Sequence, residues 1–419
     1  MIGDLIERAI APDGPGAAVA VVEGDTVVHR AGYGLANLEW GIPAAADTVF
    51  PIASITKTFT AAAIMMLVER GQLRVDDRII DYLPDFHTSG HDVRLHHLLT
   101  HTSGVHNSNE DPGFARLMRI ERSPQEVMQA ASKVPFDFAP GQRYHYCGTG
   151  YVLLGLVIER VTGQAYAEWL AQNILEPLDM RQTRLLDDRA IIPRLASGYM
   201  PGPCPAVPMS TLRLFASGGL ASTVDDLVKW DIALRQGRLL SADTLARMTQ
   251  PVVLNDGTTF PYGYGWGVQV YEGQPFMAHV GNLPGFSSLL ARFDAFSVIV
   301  LANATGIVDP RRIAAAVARK LLGLPPVKRR PYVMVGAALD RCLGAFDLEG
   351  IPVDIIHDGT IQLRMNGRTT RLMPVDQRTL YDVDEPESTL TFDDEQDGLY
   401  RTAVLRVPFI QERKLKRRG

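Results

Sequence analysis

Cysteine is scarce in this chain: three in 419 residues, at Cys147, Cys204 and Cys342. An odd number at wide spacing argues against a disulfide framework and fits a reducing compartment. None belongs to a C-x-x-C pair, which argues against a zinc site built on cysteine. Long apolar runs are missing too, and none approaches the ~18 residues that a membrane span requires. Positive charge is not in excess. The formal net charge is -5, whereas a nucleic-acid binder is usually basic. No membrane or nucleic-acid partner is therefore expected. The first residues, Met1-Ile2-Gly3-Asp4-Leu5-Ile6-Glu7, lack the basic segment and apolar stretch of a signal peptide, so the expected location is cytoplasmic. No repeat or low-complexity tract is present. What remains is the composition of a globular protein, 46% apolar and 21% charged, in a chain too long for one ordinary core. Two domains are expected, 1–325 and 332–419.

The most informative stretch is Ser54-Ile55-Thr56-Lys57. It precedes an apolar-periodic segment from about Phe59 to Arg70, closed by Gly71, that predicts a helix. Lys57 then lies one turn above Ser54 on the same face. A serine hydroxyl is a poor nucleophile until a base takes its proton. A lysine can do so where desolvation strips its own proton. The helix start adds partial positive charge and free N–H groups. S-x-x-K alone is a short pattern that also arises by chance as a helix start with a solvated lysine.

The rest of the chain supplies context. Ala17–Glu23 and Thr26–Arg30, joined by Gly24-Asp25, predict a hairpin. The middle, about 105 to 250, is helical or irregular, with a helix from Gly150 to Val161 ended by Thr162-Gly163. Strand patterns return at Tyr264–Tyr271, Phe286–Phe293 and Phe296–Leu301, and Pro310–Leu322 predicts a helix. Strands at both ends with helices between fit an α/β sandwich whose antiparallel sheet joins the two ends. Gly323 to Pro331 reads as a linker. Beyond it, short alternating strands with turns at His357-Asp358-Gly359, Asn366-Gly367 and Asp397-Gly398 predict an antiparallel barrel of about eighty residues. Lys414-Leu415-Lys416-Arg417-Arg418 reads as a solvated, disordered basic end.

Three further groups of residues point to one family. Tyr144-His145-Tyr146-Cys147-Gly148 runs into the Gly150 helix, His279-Val280-Gly281 precedes strand-rich sequence, and Leu98-Leu99-Thr100-His101-Thr102-Ser103-Gly104 forms a turn-rich loop. With Ser217 to Leu227 and Pro261 to Gly267, these resemble the penicillin-recognising serine hydrolases: class C β-lactamases, DD-peptidases, D-aminopeptidases and related esterases. The resemblance covers about residues 14 to 322. It implies a β-lactamase-like α/β (α+β) fold, a central antiparallel sheet flanked by a helical subdomain, followed here by a small C-terminal β-barrel. Ser54, Lys57, Tyr146 and His279 fall at the family's catalytic positions, with His279-Val280-Gly281 on the sheet edge beside the serine. Gly148, Gly281 and Asn282 fall at substrate-binding positions. The backbone N–H groups of Ser54 and Asn282 would form the oxyanion hole. A phenol whose pKa is lowered by the nearby lysine would make Tyr146 a base or proton relay. No metal or organic cofactor is implied.

The histidine of H-x-G, the Tyr146-Cys147 pair and a β-rich domain starting near Leu343 look most like D-aminopeptidases and D-amino-acid amidases. The expected substrate is a small molecule or short peptide, and a homo-oligomer stays open. An esterase, a β-lactamase or a DD-carboxypeptidase of the same family stays open, as does a catalytically silent binding protein. Two departures bear on this. Gly148 stands where the family has asparagine, and there is room for one C-terminal barrel where bacterial D-aminopeptidases have two. Other signals are set aside. His87/His91 and His97/His101 have i,i+4 metal spacing, but without H-E-x-x-H and with Ser89-Gly90 between the first pair. Cys147 reads as a packed neighbour of the site rather than a nucleophile. Asp13-Gly14-Pro15-Gly16 reads as a turn, not a phosphate loop.

Overall fold

Ala17 to Val22 is an unbroken run of alanine and valine near the N-terminus, and it becomes an interior strand of a sheet. The computed structural model describes residues 1–110, 119–202, 204–207, 209–330, 332–348, 351–365, 368–409 and 412–418. By packing, these divide into two compact units, Met1–Val317 and Ala318–Gly419.

In the first unit, β1 (Ala17–Glu23) turns through Gly24-Asp25 into β2 (Thr26–Tyr33). Four later strands form a meander: β3 (Gly267–Tyr271), β4 (Gln274–Leu283), β5 (Phe286–Phe293) and β6 (Phe296–Ala302). β6 pairs with β1, Val19 opposite Val300, which closes a six-stranded antiparallel sheet in the order β3-β4-β5-β6-β1-β2. The two ends of the unit are thus joined in one sheet. β1 is buried throughout except at Glu23, because both of its faces are covered.

One face of this sheet, through Ala18, Ala20, Val22, Leu290, Ile299 and Leu301, joins the main core. That core is filled by α1 (Thr56–Glu69), whose residues Thr56 to Leu67 are all buried. A helix apolar on every side belongs inside a protein. Thr58 and Thr60 are tolerated there because their hydroxyls donate to the Ile55 and Ala216 carbonyls. α2 (Gly148–Thr162) packs on the far side and ends at Gly163, whose φ of +69° is left-handed. α3 (Val224–Arg235) lies on the sheet, with Trp230 stacked on Phe59 at 4.2 Å between ring centroids.

Two expectations need correction here. His279-Val280-Gly281 does not precede the strands but lies within β4, where Pro275 and Pro284-Gly285 interrupt the alternating pattern. Nor is β4 the edge strand, since β3 lies outside it. The β3 pairing nevertheless ends at Gly267 opposite Ala278, so among the described residues the half of β4 from 279 to 283 has no strand on that side.

The second unit holds a closed antiparallel barrel of eight strands: Gly344–Leu348, Ile351–His357, Ile361–Met365, Arg368–Pro374, Thr379–Asp382, Thr389–Gln396, Leu399–Arg406 and Arg413–Arg417. The expected turn at Asn366-Gly367 lies outside the described residues. The basic end is not a solvated tail. Arg413–Arg417 is the closing strand, paired with both Gly344–Leu348 and Leu399–Arg406. Leu415 is fully buried. The Arg417 guanidinium donates to the carbonyls of Tyr400, Leu343 and Arg341 at 2.6 to 2.8 Å. Alternation of Lys and Arg with one leucine lets a charged segment complete a barrel and remove its open edge.

Candidate active site

The turn before α1 is pinned from three sides. Ile52 N–H donates to the Leu220 carbonyl at 2.9 Å. The Ile52 carbonyl accepts from Ser288 Oγ at 2.9 Å. Gly281 of β4 lies so close that a Cβ there would stand 2.3 Å from the Ile52 oxygen and 2.2 Å from Ser288 Oγ. Ala53, with φ of +50°, takes a left-handed conformation, at a cost of roughly 1–2 kcal/mol for a non-glycine residue. A short 3-10 turn, Ala53–Ile55, then feeds α1. His101 (φ +58°) and Phe215 (φ +39°) are left-handed as well. All three flank the same site, where packing holds conformations that the isolated chain disfavours.

This turn leaves Ser54 partly exposed and sets Lys57 beneath it, 2% exposed. Lys57 Nζ donates to Ser54 Oγ at 3.2 Å and to the Ser217 carbonyl at 2.6 Å. It lies 4.8 Å from the centroid of the Tyr146 ring and 5.5 Å from that of Tyr151. Burial pulls its pKa from the usual 10.5 down to about 7, with Cys147 acting weakly the other way. Part of the population is therefore a free amine at neutral pH. The neighbouring Ser54 hydroxyl acts to lower the phenol of Tyr146, but burial outweighs it and pushes the phenol up. This reverses the expected direction: Tyr146 stays protonated, and Lys57 is the group able to accept a proton.

His279 and His101 lie one layer out, 5% and 1% exposed. Cys147 N–H donates to His101 Nδ1 at 3.1 Å, so the imidazole carries its proton on Nε2 and donates to Tyr262 Oη at 3.2 Å. His279 Nδ1 donates to the Val280 carbonyl at 2.8 Å, leaving Nε2 to accept from Tyr262 Oη at 3.0 Å. One directed chain thus ties the loop of Tyr146 to β4. Both histidines are neutral. Burial, reinforced by the Lys57 charge, lowers His279 to about 3 and His101 well below its usual value.

The structure brings together Ser54, Lys57 and Tyr146, and Gly281 sets Asn282 beside the serine turn. Gly148 opens α2, its N–H bonded to Asn107 Oδ1 at 3.2 Å. His279 belongs to the Tyr262 chain. Tyr262, Ser217 and Asn107 were not singled out by residue chemistry, although Ser217 and Tyr262 lie in the segments read as family matches. The Cys147 thiol is buried, donates to the Val105 carbonyl at 3.3 Å and is pushed up to about 11, so it is unreactive. His97 accepts the Arg94 N–H, and His91 packs on Phe136. Among the described residues, no three histidine, cysteine or acidic side chains are arranged around a possible metal ion. A cavity of about 680 Å³ opens next to the site, between Pro51, Leu186, Ile192, Met209, Leu283 and Phe286. None of the four expected catalytic side chains lines it.

A serine bonded to a buried lysine at the start of a central helix, under an antiparallel sheet that joins both chain ends, defines a serine hydrolase of the amidase and peptidase type. The chain belongs to the Beta-lactamase family, whose match spans residues 4–322. Penicillin-binding protein 4 of Amycolatopsis lactamdurans is 30% identical over 359 residues, 80% of this chain and 92% of that protein. A D-aminopeptidase of Brucella canis is 27% identical over 328 residues, 75% of this chain but 61% of that longer protein. An octameric penicillin-binding protein homologue from Pyrococcus abyssi superposes with a TM-score of 0.72 at 27% identity, covering 99% of both chains. The D-amino acid amidase of Ochrobactrum anthropi SV3 superposes with a TM-score of 0.65 at 25% identity, covering 76% of this chain and 98% of that one.

Proposed function

We propose that this protein hydrolyses amide bonds of short peptides or amino-acid amides through an acyl-enzyme, with a D-residue at the amino end. Ser54 Oγ attacks the carbonyl carbon while Lys57 Nζ takes its proton. The negative oxygen is held by the N–H groups of Ser54 and Asn282. As the C–N bond breaks, the leaving amine takes a proton from Lys57 through the Tyr146 hydroxyl. Water then enters, gives its proton to the same pair and releases the acid from Ser54. His279 and Tyr262 act indirectly, by fixing β4 against the Tyr146 loop. The observation that carries this reading is the 3.2 Å contact of Ser54 Oγ with a lysine whose pKa burial brings to about 7.

The preference for D-amino acyl amides draws on the D-aminopeptidase and D-amino acid amidase relatives. A homo-oligomer, by analogy with the octameric homologue, and a cytoplasmic setting, in keeping with three unpaired cysteines, belong to the same proposal. Turnover of D-alanine p-nitroanilide, a p-nitrophenyl ester and nitrocefin, measured side by side, tests the substrate class. The anilide is expected to be cleaved and nitrocefin to be a poor substrate. Cleavage of the ester alone would overturn the amidase reading. The silent-protein alternative, favoured by Gly148, requires that Ser54 resist every acylating probe.

A further inference from the structure

The turn from Asn107 to Glu110 is tied to the tyrosine loop by three of its four side chains. Asn107 Nδ2 donates to the Tyr146 carbonyl at 3.1 Å and to Glu110 Oε1 at 3.0 Å, while its Oδ1 accepts Gly148 N–H at 3.2 Å. Ser108 N–H donates to Thr149 Oγ1 at 3.1 Å, whose hydroxyl donates to Ser108 Oγ at 3.3 Å. Glu110 pairs with His145 Nε2 at 3.0 Å. Asn109 is the exception. Its backbone N–H reaches Asn107 Oδ1 at 3.4 Å, but among the described residues its carboxamide has no hydrogen-bond partner.

That carboxamide lies against the bare Cα of Gly148, where a Cβ would stand 2.9 Å from Asn109 Nδ2. Cys147 is extended, φ -132° and ψ 113°, and its thiol points inward to the Val105 carbonyl. Gly148, the first residue of α2, instead presents its bare Cα to Asn109 and Asn107, two positions along the chain from Tyr146, whose ring lies 4.8 Å from Lys57 Nζ. Asn109 thus holds a carboxamide with no hydrogen-bond partner among the described residues, set over a glycine at the position that the family resemblance gives to substrate binding.

We propose that Asn109 is a substrate-binding residue whose carboxamide hydrogen-bonds the polar group on the α-carbon of the acyl half that Ser54 attacks. An amino or acylamino substituent fits, because a carboxamide offers an acceptor oxygen and N–H donors side by side. Glycine at 148 follows from this, since any side chain there would displace Asn109. The inference rests on the acyl-enzyme reading above and adds the residue that selects the acyl group.

The test compares kcat/KM for D-alanine p-nitroanilide and for p-nitrophenyl propionate, which has the same acyl skeleton without the amino group. Asn109→Ala is expected to lose roughly 10- to 100-fold on the first, the effect of one missing polar contact, and about tenfold less than that on the second. Gly148→Ala pushes the carboxamide aside and should give the same selective loss, with nothing further in the double variant. Equal losses on both substrates, no loss in Asn109→Ala, or additive losses in the double variant would overturn the role of Asn109. Labelling of wild-type Ser54 by a fluorophosphonate separates the two failures. An unlabelled wild type overturns the acyl-enzyme reading and this inference with it. A labelled enzyme with unselective losses overturns only the inference.

Discussion

Lys57 does two opposed things. As an amine without solvent, it is a base for Ser54; as a charge taken out of water, it weakens the fold. Its pKa near 7 against an ordinary 10.5 means that folding opposes protonation. An unfolded chain binds more protons here from about pH 7 to 10.5, so this residue's contribution to stability rises with pH across that window. Replacing it with an apolar residue of similar length removes the penalty. Lys57→Met should raise the melting temperature at pH 6 by several degrees and abolish turnover, as read by calorimetry beside a rate assay. A lower melting temperature would mean that the bonds to Ser54 and Ser217 outweigh desolvation. At this scale the sequence was informative where chemistry is local. Ser54 and Lys57 are one helical turn apart, and that spacing alone places amine on hydroxyl. The direction of the Tyr146 shift was not legible, because it depends on how much solvent three distant segments exclude. Nor was the part played by Asn109: its partner Gly148 is thirty-nine positions away and, as a glycine, offers no side chain to read.

Among elements, the serine turn and β4 form a unit. A Cβ on Gly281 would meet the Ile52 carbonyl, Ser288 Oγ and the Ala53 methyl, so β4 leaves the strained turn at Ala53 little room to relax. Gly281→Ala must push the serine turn away. The expected cost is about 1–3 kcal/mol in stability, with a loss of about 100-fold or more in kcat, because a displacement of ~1 Å at a reacting group has that effect. Urea denaturation and single-turnover acylation measure the two quantities; wild-type kcat in this variant would show that β4 does not position Ser54. The hairpin β1–β2 and α1 were readable from turn residues and apolar period. β4 was not read as one strand, because prolines at both ends and the polar His279 and Asn282 break its alternation. It is a strand because its neighbours β3 and β5 supply the pairing, and that information lies outside its own sequence.

At the scale of the molecule, the sheet joining residues 17–33 to 267–302 accounts for a catalytic unit of about three hundred residues held by long-range pairing. The barrel was legible from its turns, but its last strand was not, since Arg413–Arg417 has the composition of a disordered end and only closure of the barrel makes it a strand. Leu415 fills the barrel interior with Phe346, Val353 and Ala403. Leu415→Ala should lower the stability of the second unit by about 2–5 kcal/mol, seen as an earlier transition in calorimetry. An unchanged thermogram would return this segment to the status of a tail.

The account as a whole turns on a desolvated amine taking the proton of Ser54. The rate of Ser54 acylation by an uncharged p-nitrophenyl ester, followed by mass spectrometry from pH 5 to 9, tests it directly. The rate should climb through an inflection near pH 7 and level off above it, and in Lys57→Met it should fall to the level of the uncatalysed reaction. A flat profile, or acylation of Ser54 at the wild-type rate without the lysine, would contradict it.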